Sequence, residues 1–160
     1  MTGRFVDTAI ERPRWRFNLL YRVTPRLGVG IEYNPVVDEV VPNFNWVAMT
    51  ETESRPLLTF GVSSDRIFTD EGNYAYMMTI AKGIPGTSLA PYVGLSYSEA
   101  EKGFLFPAGV NWTIDDHWTL MPMFDGRNGH LMLTYSQANW NVTGLYLKGQ
   151  RWGISFGIGF

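Results

Sequence analysis

Large apolar residues recur at every second position in stretch after stretch of this chain. The closing segment shows the pattern most simply: Trp152, Ile154, Phe156, Ile158 and Phe160 alternate with Gly153, Ser155, Gly157 and Gly159. A period of two is the strand period, so one face of such a segment is bulky and the other nearly bare. The same alternation, broken by turn residues, predicts strands over 15–23, 27–33, 44–50, 58–64, 74–80, 89–97, 104–112, 118–124, 131–135, 140–146 and 152–160, with a weaker one over 4–10. No long helical periodicity, linker or low-complexity tract interrupts them. The chain therefore reads as one all-β domain over 1–160.

Each strand has a face without charge, for example Trp15, Phe17, Leu19, Tyr21 and Val23, or Phe104, Phe106, Ala108, Val110 and Trp112. All 6 Trp, 8 Tyr and 10 Phe fall on this face except Phe5, Phe68 and Tyr92. The other face carries small or polar groups such as Gly28, Gly30, Gly61, Ser63, Gly94 and Ser96. In a soluble barrel the aromatic face would fill the interior and the second face would meet water. Water-facing strands normally carry Lys, Glu, Arg and Thr, and so many large side chains would overfill a small barrel. Turned the other way, the aromatics form an outer band around a narrow interior of small and polar groups. The expected fold is an antiparallel up-and-down transmembrane β-barrel.

Eleven clear strands would leave the chain ends on opposite rims, whereas single-chain barrels of this kind have even strand numbers. Arg4 to Ile10 supplies a twelfth, pairing with the last strand to remove the sheet edges; ten strands are the alternative if a segment near 131–146 is misread. Short turns at 24–26, 114–116 and 137–139 then share one rim, and longer loops at 34–43 and 65–73 the other. Trp112, Trp118 and Trp140 flank the short-turn rim and Trp15, Trp46 and Trp152 the long-loop rim, as two interfacial girdles. In the hairpin around Asp115, the expected register sets Trp112 opposite Trp118 and Asn111 opposite Thr119.

Composition removes several functions. With 13 basic and 15 acidic residues, a net charge of -2 and no Lys/Arg cluster, there is no electrostatic footprint for nucleic acid. Without cysteine there is no disulfide framework, thiolate metal site or cysteine nucleophile. No apolar run approaches the roughly 18 residues of a spanning helix, a limit that does not apply to barrel strands. The opening "MTGRFVDTAIERPRW" has no signal-peptide core, so an export signal is expected to lie outside this sequence.

With its short turns, aromatic girdles and final strand ending in phenylalanine, the chain resembles a Gram-negative bacterial outer-membrane β-barrel. The resemblance is one of architecture and covers nearly the whole sequence. It implies the lipid bilayer as partner, the barrel-assembly machinery as a biogenesis partner, and Phe156, Ile158 and Phe160 as the terminal signal that this machinery reads. Gly153 and Ser155 match the rest of that signal imperfectly.

Three constellations could carry chemistry. Arg16, Asn18, Arg22 and Glu32 share the inward face of the first clear hairpin, with Asn18 expected opposite Glu32. They could set ion selectivity or form an internal salt-bridge network. Met49, Met77, Met121, Met123 and Met132, with Leu105, point inward by parity; they could line an apolar solute path or fill the lumen. His117 beside Asp115 and Asp116, and His130 near Asp125, are the only histidine sites, and Ser136 is too far along its strand to complete a triad. No catalytic residue, cofactor or metal is expected. The functional expectation is a small passive outer-membrane pore with a partly filled lumen. The alternative is a closed barrel that anchors other envelope proteins, with an outer-membrane hydrolase or a soluble lipocalin-like carrier behind both.

Overall fold

The computed structural model describes residues 1–9, 14–64 and 73–159. Thirteen strand segments follow one another along the chain: β1 (Thr2–Val6), β2 (Trp15–Thr24), β3 (Leu27–Asn34), β4 (Glu39–Met49), β5 (Leu57–Ser64), β6 (Tyr74–Ala81), β7 (Leu89–Ser98), β8 (Gly103–Leu105), β9 (Ala108–Thr113), β10 (Trp118–Phe124), β11 (Gly129–Ser136), β12 (Trp140–Leu147) and β13 (Arg151–Ile158). β8 and β9 pair with the same edge of β7 and are two pieces of one interrupted strand. Each strand pairs antiparallel with its sequence neighbours, β1 pairs with β13, and β6 pairs with β7. The result is a closed, all-antiparallel barrel of 12 strands, and closure removes the sheet edges.

The period-two pattern now acquires a direction. Tyr21 is 72% exposed, Phe106 68% and Trp152 66%, whereas Glu32 on the other face is 2% exposed. The bulky face is therefore the outer surface. The total accessible surface, 9668 Å², exceeds the roughly 8,100 Å² typical of a compact soluble chain of this mass. An apolar outer band and an incompletely filled interior both add area. The soluble carrier with aromatics inside is overturned by this facing.

One rim carries Met1, the turns at 25–26, 114–117 and 137–139, and the loops 50–56 and 82–88. It is called the terminal rim below. The opposite rim carries the turns at 35–38, 99–102, 125–128 and 148–150. The expected loop at 34–43 is a four-residue turn, because β4 begins at Glu39 rather than at residue 44. Asp38 adopts φ 51° there, and the Tyr33 hydroxyl donates to its Oδ1 at 3.2 Å. The other expected long loop, 65–73, lies outside the described residues except for Asn73.

Four further expectations change. The first strand occupies Thr2–Val6 rather than 4–10, and Phe5 pairs with Trp15 and Ile154 on the outer face instead of lying off it. The segment 104–112 is interrupted after Leu105, where Phe106 and Pro107 precede β9. The turn of the hairpin around Asp115 lies one residue further along the chain, so Trp112 faces Leu120 and Thr113 faces Thr119. Asp115 causes this: its Oδ1 accepts the backbone N–H groups of His117 and Trp118, both at 2.8 Å, and closes an Asx-type turn. Finally, a bulge at Ala48 lets Met49 pair with Leu58 on the outer face. Parity alone had put Met49 in the lumen, and a single extra residue reverses it.

The girdles shift because β4 begins at Glu39, which carries Trp46 to the far end of that strand. Trp46 pairs with Leu27, and the next residue, Val47, donates its N–H to Arg26 O at 2.7 Å, which sets Trp46 beside the first short turn. The terminal rim thus carries Trp46, Trp112, Trp118 and Trp140, and the opposite rim Trp15 and Trp152. Rings touch along both belts: Trp118–Tyr135 at 5.0 Å and Tyr135–Trp140 at 5.7 Å at the terminal rim, Phe5–Trp15 at 4.8 Å and Tyr146–Trp152 at 4.5 Å at the other. Each such pair adds about 0.5 to 1.5 kcal/mol beyond the area it buries.

Candidate functional site

Inside the barrel, burial changes from one end to the other. Toward the opposite rim the inward side chains are packed: Val6 and Ser98 are 0% exposed, Glu32 and Asn34 2%, Leu147 3% and Leu145 5%. Val6, Leu145 and Leu147 form an apolar cluster with Met132 against it. Toward the terminal rim the inward groups Leu20, Arg22, Asn45, Asn111 and Thr113 are exposed to solvent. Between the two zones lies a cavity of about 440 Å³.

Arg16 and Ser64 lie on one wall of this cavity, and both bind Glu32. Arg16 Nη1 lies 3.3 Å from Glu32 Oε1 and also donates to Ser64 Oγ at 3.4 Å. Glu32 Oε2 accepts the Ser64 N–H at 3.3 Å and the Ser64 hydroxyl. Three donors, Arg16 Nη1, the Ser64 N–H and the Ser64 hydroxyl, therefore converge on a carboxylate removed from water. Such a group is tolerable only when paired and hydrogen-bonded. Asn18 stands opposite Glu32 as expected, with its Oδ1 lacking a hydrogen-bond partner among the described residues. Arg22 does not join them: it is exposed, pairs with Gly28, and sits nearer the terminal rim.

Two contributors were missed. Arg4 faces inward between Arg16 and Ser155, and lines the same cavity. Placing β1 at 4–10 hid it; recognising that Phe5 continues the outward Trp15–Ile154 row would have exposed it. Ser64 ends β5, where alternation gives no warning that its side chain meets Glu32.

The far wall holds His130 and Asp125. His130 Nε2 lies 2.9 Å from Asp125 Oδ2, and the Lys148 N–H donates to His130 Nδ1 at 3.3 Å. Asp125 Oδ1 accepts the N–H groups of Arg127 at 2.8 Å and Asn128 at 2.7 Å. Partial burial works against ionisation of Asp125. The imidazole and the two amides outweigh it and hold the carboxyl well below the usual carboxylate range. Ser136 lies at the other end of β11, paired with Asn141, and does not approach this pair. Asp115 is likewise held below its ordinary value by the His117 and Trp118 amides, so its charge serves the turn.

The predicted methionines divide. Met77, Met123 and Met132 line the cavity, and Met121 pairs with Met132 on the same inward face. Leu105 is buried inside, opposite Ser96, at 6% exposure. Met49 is outside. Hydroxyl groups from Ser63, Ser96, Thr143 and Ser155 complete the lining. The cavity is therefore lined by guanidinium, hydroxyl, imidazole–carboxylate and thioether groups.

At the terminal rim Phe156 is exposed on the outer face, paired with Gly3 and Val142. Ile158 exchanges hydrogen bonds with Met1: its N–H donates to Met1 O at 2.8 Å, and the Met1 ammonium donates to Ile158 O at 2.7 Å. Phe160 lies outside the described residues. No known protein-family model, curated protein or solved structure matches the chain.

Proposed function

We propose that the chain is an outer-membrane barrel that passes small solutes through a narrow lumen. The observation that carries this reading is the inverted distribution of polarity: a closed barrel with an uncharged aromatic surface outside and Arg16, Glu32, Asn18 and Arg22 inside. A continuous exposed apolar surface of this extent needs a partner, and a bilayer covers all sides of a barrel at once. Tryptophans at both rims suit the two interfaces.

On this reading solutes enter from the terminal rim past Leu20, Arg22 and Asn45, and meet the Arg16–Glu32–Ser64 level as the constriction. The packed layer beyond it, from Val6 to Leu147, supports the second reading of a closed barrel that anchors other envelope components. Phe156, Ile158 and Phe160 would serve in both as the signal to the assembly machinery. Planar-bilayer recording separates the two. A pore gives small discrete openings whose reversal potential shifts when the exposed Arg22 becomes glutamine. Absence of discrete openings from folded protein would leave the closed barrel.

A further inference from the structure

The wall of the barrel is weakest at one place. Pro91 in β7 and Pro122 in β10 flank Val110 of β9 from both sides, and neither has an N–H to give to the ladder. Pro107 follows the break between β8 and β9 and keeps only its carbonyl in the sheet, accepting the Gly94 N–H at 2.7 Å. Pairing between β9 and β10 runs through Thr113–Thr119 and Trp112–Leu120, then resumes at Gly109–Met123 and Ala108–Phe124. The rungs at Met121 and Pro122 are skipped.

At this seam an outer groove and the inner cavity approach each other. The groove, about 670 Å³, is walled by the outward Val110, Pro122 and Leu131, and also reaches the inward Tyr92, Met123 and His130. Met123 and His130 line the inner cavity as well. Between the two spaces stands Gly109, which has no side chain. A Cβ there would fall 2.7 Å from the Tyr92 hydroxyl and 2.8 Å from Pro122 O, so the Tyr92 ring occupies the space that any other residue would need.

We propose that this seam is a lateral port through which a single-chain amphiphile exchanges between the bilayer and the lumen, with Tyr92 as its inner shutter. The port rests on the membrane reading above. Its occupant follows from the two spaces it joins. The groove opens within the aromatic band, where acyl chains are the surrounding medium. The cavity offers flexible thioethers from Met77, Met123 and Met132 to a tail, and hydroxyls from Ser63, Ser96 and Ser155 to a head group. An ion or sugar has no use for the first, and a diacyl lipid is too bulky for the second.

The chain has no cysteine, so single thiols report position cleanly. Met123→Cys, Met121→Cys, Thr59→Cys and Val110→Cys would each be refolded into phosphatidylcholine vesicles. Each would then be exposed to a maleimide carried on a long acyl chain, and separately to a small water-soluble maleimide to verify that the thiol reacts. Val110 marks the outer face and Thr59 the inner face on the distant wall, paired with Val47 and Thr79. The expected result is that the acyl maleimide labels Met123→Cys about tenfold faster than Thr59→Cys, equivalent to ~1.4 kcal/mol in barrier. Met121→Cys, which faces inward at a skipped rung, gives the same answer should Met123→Cys fail to fold. Equal slow labelling of all inner thiols, with Val110→Cys fast, would overturn the port and leave the membrane reading intact. Slow labelling of Val110→Cys too would overturn the membrane reading itself.

Discussion

Arg16→Met is expected to destabilise the folded barrel by about 3 to 5 kcal/mol, because it removes the charge facing a buried carboxylate. Glu32 is 2% exposed, and its bonds from Arg16 and Ser64 are what make its ionised form tolerable there. The size of the effect comes from stranding the partner, and the pair itself contributes less. Arg16→Met combined with Glu32→Gln should therefore recover most of the loss, since the amide still accepts from Ser64 and carries no charge. Denaturant titration of both variants in lipid checks this. A single variant as stable as the unaltered protein, or a double variant no better than the single, would show that the pair is not the internal brace described above.

This brace was half legible in the chain. Asn18 opposite Glu32, with Arg16 on the diagonal, follows from a hairpin whose turn carries Thr24 and Pro25, and the register came out as the alternation required. Arg4 was hidden because Thr2–Val6 is only five residues long and its pattern merges with the polar segment after it. The contacts of Ser64 depend on how a strand end curls across a closed barrel, which no local period encodes, whereas the nearness of His130 to Asp125 across one turn was legible. Long alternating strands announced their faces. Bulges did not: Ala48 is an ordinary residue in an apolar run, yet it turns Met49 from lumen to surface. The loop expected at 34–43 is mostly strand instead: Pro42 lies within β4, opposite Ile31, with its side chain outward.

Leu133→Arg is the second large expected effect. Leu133 sits in the middle of β11 on the outer face, between Leu120 and the bare Gly144, 40% exposed. On a soluble protein, arginine at such a place costs little or improves solubility. At the middle of a bilayer it costs about 2 to 4 kcal/mol, falling toward 0 to 1 near the interfaces. Arginine at Trp152, beside the opposite rim, should therefore cost less than at Leu133 in the same lipid-refolding titration. Equal and small costs at both depths would show that no hydrocarbon layer meets this face.

The cost at Leu133 follows from one claim, that the aromatic surface of this barrel is covered by lipid. Sedimentation of the purified 18.2 kDa chain tests it most directly. The account predicts a monomer in detergent, flotation with vesicles after refolding into lipid, and aggregation once detergent is withdrawn without lipid. A stable, folded monomer in detergent-free buffer would contradict it.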